Sequence, residues 1–160
     1  MTIFDLQKRV AFITGGNGGI GLGMAKGLAS AGAAVVIAGR NKTKAQSALS
    51  ELHALGAPAA FVALDVLDEA SCQQAIQRAV ERFGRLDILV NNAGTTVRAQ
   101  PQDLTAQDWH LVMNTNLTGA FLCSQAAYPH MVRAGEIGVH HQMPILRRDR
   151  KSTRLNSSHT

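Results

Sequence analysis

Apolar runs of strand length alternate with longer segments of helical period along the first 135 residues. Residues 10–14 (VAFIT) form the first run, and the spacing of Ile20, Met24 and Leu28 behind it predicts an amphipathic helix. A second run, AAVVIAGR at 33–40, completes a strand–loop–helix–strand unit of roughly 30 residues. Asn41 is placed to cap a helix running to about residue 55, and residues 59–64 read as a third strand closing in Asp65-Val66. Asp68 caps a further helix through Phe83, with Ala75, Ile76, Ala79 and Val80 on one face. Residues 86–90 predict a fourth strand that runs into Asn91-Asn92-Ala93-Gly94. Thr105 and Asp108 have capping-box spacing ahead of a helix starting near Ala106, and a separate helix is expected over 117–132. Such alternation implies an α/β fold with a doubly wound parallel sheet. Right-handed crossovers put helices on both faces and a ligand at the C-terminal strand ends, where the glycine cluster, Arg40, Asp65 and Asn91 fall.

Composition narrows the class without changing that picture. At 160 residues, 46% hydrophobic and 17% charged, the chain suits one domain with a real core. No apolar stretch approaches the ~18 residues of a membrane span and no secretory leader is visible, so the expectation is a cytoplasmic protein with no membrane partner. Cys72 and Cys123 stand apart in sequence, without metal-ligand spacing, and are expected as reduced thiols; no metal site is expected. More than half of the net charge of +5 lies in residues 136–160. The remainder shows neither a basic face nor interleaved aromatics, so nucleic acid is not an expected partner.

The chemistry begins at residues 14–21, TGGNGGIG, between the first strand and the first helix. Glycines let backbone amides approach phosphate oxygens, and the helix that follows turns its positive dipole end towards them, as a dinucleotide pyrophosphate requires. A literal G-x-G-x-x-G can be read at Gly16, Gly18 and Gly21. The residue closing the second strand of such a unit faces the adenosine ribose: an acid there suits a free 2′-hydroxyl, an arginine a 2′-phosphate. Gly39-Arg40 stands at that point with no carboxylate, so NADP(H) is preferred, with NAD(H) possible.

Four motifs in order, TGGNGGIG at 14–21, DV at 65–66, NNAG at 91–94 and NTNLTGAF at 114–121, resemble those of the short-chain dehydrogenase/reductase family. The resemblance covers residues 4–135 and replaces the literal glycine register by Thr14, Gly15, Gly19 and Gly21, with Asn17 and Ile20 in the same cofactor loop. It further implies that Asp65 meets the adenine amino group with Val66 beside the ring. Asn91, Ala93 and Gly94 would support the central strand and line the nicotinamide ribose. Asn116 would be the catalytic Asn that holds a water in a proton relay. The family carries a Rossmann-type sheet, moves a hydride between nicotinamide and a small-molecule carbonyl or alcohol, and forms homodimers or homotetramers. Residues 17–41 and 95–131 further resemble its sugar-acid dehydrogenases, such as gluconate 5-dehydrogenase and 2-deoxygluconate 3-dehydrogenase. The 3-oxoacyl-carrier-protein reductases share the early motifs.

The family's catalytic Tyr-x-x-x-Lys, and the Ser before it, are not found in these 160 residues. The single tyrosine, Tyr128, is followed four positions later by Val132. From residue 136 the text loses strand and helix periodicity, and residues 149–159 (DRKSTRLNSSH) correspond codon for codon to one reading frame of a common sequencing-library adapter. The expectation is therefore a partial dinucleotide-binding domain at 1–135, truncated after the fourth strand and its following helices, and a foreign, disordered tail at 136–160. Its sheet order would be 3-2-1-4 with a long apolar fourth strand exposed at the edge, giving an inactive product of marginal solubility. A non-catalytic dinucleotide-binding module is the alternative.

Overall fold

The computed structural model describes residues 5–135; the expectations for residues 136–160 lie outside the described residues. Four parallel strands form one sheet in the order β3-β2-β1-β4: β1 (Val10–Thr14), β2 (Ala34–Gly39), β3 (Ala59–Ala63) and β4 (Ile88–Val90). Phe12 pairs with Val36 and Val36 with Ala60, so equivalent positions of adjacent strands share a face. Alternation along β1 and β2 then builds two cores. Phe12, Val36 and Ala38 pack under helices α3 (Glu69–Phe83) and α5 (Gly119–Arg133). Ala11, Ile13, Val35 and Ile37 pack under α1 (Gly19–Ser30) and α2 (Lys42–Ala54). Both faces are covered, which is why the strands read as continuous apolar runs.

Local capping explains where the helices start. The Asn41 side chain accepts from the Lys44 amide, Asp68 from that of Ala70, and Thr105 forms the expected capping box with Asp108 at the head of α4 (Ala106–Met113). The Thr105 hydroxyl and amide hold the Asp108 carboxyl below the usual carboxylate range.

Three expectations are corrected. Of Ile20, Met24 and Leu28 in helix α1, Leu28 packs against the core but Ile20 and Met24 are exposed, Ile20 to 75%, and the buried face is Gly21, Ala25 and Ala29. Small residues four apart let the helix backbone sit closer to β1 than large apolar ones would. Second, the fourth strand is short, three residues, with Leu86 and Asp87 buried in the approach to it. Third, α4 and α5 are not separate helices, because a π-helical turn at Asn114–Thr118 joins them without a break. Along α5 and the turn, Leu117, Phe121, Tyr128 and Val132 recur on one face and are exposed.

The cysteines are not isolated. Their thiols lie 3.6 Å apart where α3 meets α5, both buried and free. Burial pushes the Cys123 thiol up to about 12, with Cys72 beside it adding to the shift, and burial raises Cys72 too. Iodoacetamide at pH 8 is expected to modify both at least ~100-fold more slowly in the folded chain than in urea, since the thiolate is the nucleophile. Equal rates would show that the α3–α5 layer opens freely.

Candidate functional site: a nucleotide cleft at the strand ends

The C-terminal ends of β1, β2, β3 and β4 bring the expected residues to one rim. Thr14 ends β1 and is buried, its hydroxyl donating to the Val90 carbonyl at 3.4 Å and accepting from the amides of Asn92 and Ala93 at 3.0 and 2.9 Å. Its side chain therefore locks the exit of β4 to that of β1 and shapes the glycine loop from beneath. Asn92, which sequence reasoning passed over, completes the lock: its side-chain amide donates to the carbonyls of Thr14 and Gly15 at 3.0 and 3.3 Å. The available signal was its place two residues past a buried strand, where a loop must find partners for its neighbours' carbonyls.

Above this lock the loop is made of glycine by necessity. Gly15 has φ +66°, and a Cβ there would meet the Asn92 amide at 3.0 Å. A Cβ on Gly21 would run into the Gly15 carbonyl oxygen and come within 2.5 Å of the Asn92 amide. By contrast a Cβ on Gly19 would meet nothing within 4 Å, so the crest of the loop is open. Helix α1 starts at that crest and directs its first-turn amides outwards. A cradle closed below by Asn92 and open above, at a helix N-terminus, fits a pyrophosphate.

The other residues flank the cradle. Arg40 follows the last residue of β2 and is exposed. The Asn17 side chain donates to the Asn41 carbonyl at 3.1 Å, tying the glycine loop to the start of α2. Asp65, half-buried beyond β3, accepts from the Leu67 amide at 3.0 Å and holds its own turn. Val66 beside it is pressed against α5, where a Cβ on Gly119 would come within 2.8 Å of the valine Cβ. Asn91 points instead to α5, donating to the Ser124 hydroxyl at 2.9 Å. Ala93 and Gly94 continue the rim, and the Asn116 side chain binds Thr95 twice, accepting from its amide at 2.8 Å and donating to its carbonyl at 3.0 Å. The π-helical turn is what brings Asn116 over Gly94. Ile20 stands at the exposed crest. Among the described residues no group of three or more His, Cys, Asp and Glu could hold a metal, and no helix is long and apolar enough to cross a membrane.

A doubly wound parallel sheet with a glycine cradle at the β1–α1 crossover defines a dinucleotide-binding protein. Residues 9–139 match the short chain dehydrogenase family model, and the chain belongs to that family. It is 38% identical over 133 residues to gluconate 5-dehydrogenase of Gluconobacter oxydans, covering 83% of this chain and 52% of that protein. It is 40% identical over 130 residues to the 2,5-dichloro-2,5-cyclohexadiene-1,4-diol dehydrogenase of Sphingobium indicum, covering 81% and 52%. A short chain dehydrogenase from Burkholderia cenocepacia, solved in complex with NADP, superposes with a TM-score of 0.75 at 39% identity, covering 79% of this chain and 52% of that one. The chain thus spans about half the length of the curated relatives it matches.

Proposed function

We propose that residues 5–135 are the cofactor-binding half of an NADP(H)-preferring oxidoreductase acting on a sugar acid. The observation that carries the cofactor choice is Arg40: it stands at the end of β2, where the ribose is read, and no carboxylate accompanies it. The bound nicotinamide supplies or accepts the hydride at a carbonyl or secondary alcohol carbon. This chain's part is to hold the pyrophosphate on residues 14–21, the adenine beside Asp65 and Val66, and the nicotinamide ribose along Asn91, Ala93 and Gly94. Asn116, clamped to Thr95, takes the water-holding place in the proton relay. The gluconate 5-dehydrogenase relative supports the sugar-acid reading and the NADP complex of the Burkholderia relative supports the nucleotide. Two free thiols 3.6 Å apart are in keeping with a reducing, cytoplasmic setting. The exposed stripe of Leu117, Phe121, Tyr128 and Val132 is in keeping with a homo-oligomer, dimer or tetramer. Neither nucleic acid nor membrane has a part in this reading.

Arg40→Ala is expected to weaken NADPH binding about 100-fold and leave NADH binding unchanged, measured by titration calorimetry. Tighter NADH binding in the parent, with no response to the substitution, sinks the 2′-phosphate assignment. A second reading, a non-catalytic dinucleotide-binding module, rests on the cofactor-side residues alone, since Thr14, Arg40, Asp65 and Asn92 gather at one rim of the sheet. Resequencing the source DNA across codons 133–160 with a different adapter separates the two. Recovery of Ser and Tyr-x-x-x-Lys supports the enzyme, and persistence of DRKSTRLNSSH supports the module.

A further inference from the structure

Helix α2 starts with bases where two other helices start with acids. Helices α3 and α4 carry Glu69 and Asp108 in their first turns, where the positive end of the dipole favours an acid. The first turn of α2 contains no acid and carries Lys42 and Lys44 instead. Between Asp5 and Glu51 the chain has no Asp or Glu at all, while Arg40, Lys42 and Lys44 fall within five residues. Among the described residues neither Arg40 nor Lys44 forms an ion pair with a carboxylate; Lys26 of α1 takes Glu51. Local conflict of this kind, left uncompensated by the protein, is a mark of a functional site.

The Lys44 side chain is exposed and lies along the glycine loop. Its Nζ lies 3.8 Å from where a Cβ on Gly18 would stand, beside the glycine loop. Its backbone is fixed by the Asn41 cap, at 2.9 Å, and Asn41 is in turn held to the loop by Asn17. The ammonium therefore stands beside Gly18, which has no side chain of its own, four residues past the Arg40 that follows β2.

We propose that Lys44 is a second cation of the phosphate subsite, its ammonium over Gly18 pairing with the 2′-phosphate of NADP(H) together with Arg40. This rests on the NADP(H) reading above and adds a residue to it. A phosphate presents three terminal oxygens, of which a bidentate guanidinium takes two; a compact ammonium with three donors suits the third. The bound dianion also relieves the basic first turn of α2.

The test uses the full 160-residue chain carried on a solubilising fusion partner, with 2′,5′-ADP and 5′-AMP as probes that differ only in the 2′-phosphate. Lys44→Gln is expected to weaken 2′,5′-ADP binding about tenfold and leave 5′-AMP unchanged, with Lys44→Arg recovering most of the loss. Lys42→Gln makes the same change of charge in the same helical turn and is the control, expected to shift binding less than about twofold. If the parent prefers 2′,5′-ADP and Arg40→Ala removes the preference, but Lys44→Gln matches the parent or Lys42→Gln, Lys44 has no place in the subsite and the NADP(H) reading survives. If the parent does not prefer 2′,5′-ADP, the NADP(H) reading itself fails, and this inference with it.

Discussion

Gly21→Ala is expected to abolish nucleotide binding and to destabilise the fold by about 3 kcal/mol, although alanine is the better helix former. The added methyl would meet the Gly15 carbonyl oxygen, the Gly15 carbonyl carbon at 3.0 Å and the Asn92 amide at 2.5 Å. None of these can yield cheaply. The Gly15 carbonyl belongs to the loop itself, and the Asn92 amide is committed to the carbonyls of Thr14 and Gly15. Relief requires either lifting α1 from the sheet or releasing the lock between β1 and β4, and each deforms the pyrophosphate cradle. Gly23→Ala is the control in the same helix: nothing lies within 4 Å of its Cβ, so it should be neutral or stabilising by up to ~1 kcal/mol. Thermal melts and 2′,5′-ADP titration read both variants. A Gly21→Ala chain that binds like the parent would mean that α1 is free to move off the loop.

Asp87→Ala should cost about 2–3 kcal/mol, read as a lower urea midpoint with an unchanged slope. This carboxylate is fully buried at the entry to β4, where Oδ2 accepts from the Val10 amide at 2.7 Å, both oxygens accept from Arg85 Nε at 2.8 Å, and Arg9 approaches Oδ1 at 3.5 Å. The Asp87 amide returns a bond to the Val10 carbonyl at 3.0 Å, so the residue joins the start of β1 to that of β4. Alanine leaves the Val10 amide buried without its acceptor and takes the carboxylate from the Arg85 guanidinium, whose pKa the Asp87 hydrogen bond raises. Asp87→Asn keeps an acceptor for Val10 and should lose less. Equal midpoints for Asp87→Ala and the parent would rule out this pairing as a support of the sheet. The N-terminal ends of β1 and β4 are thus joined through Val10 and Asp87, and their C-terminal ends by the Thr14 and Asn92 hydrogen bonds.

Most elements were legible because their signals are local. The β-branched runs of β1 and β2, and the caps Asn41, Asp68 and Thr105, act through neighbouring residues on backbone groups that any such helix or strand would expose. The sheet order β3-β2-β1-β4 agrees with the expected one. The failures share a cause. Helix α1 was read from the spacing of its large apolar residues, yet contact with β1 selects the small ones, because the loop at Gly15 sets how near the helix must come. Reading α4 and α5 as two helices missed a π-helical turn whose cost is met only when Asn116 reaches Thr95 across the cleft.

By itself, then, the sequence determined the alternation of strands and helices, the glycine loop and the family, since periodicity, caps and backbone freedom are properties of a few consecutive residues. Only the tertiary structure decided that Asn92 rather than Asn91 holds the loop, that Cys72 and Cys123 touch, and that Lys44 stands over Gly18. Each of these is a contact between groups far apart in the chain. Which of several like side chains makes it depends on how closely the helices dock on the sheet.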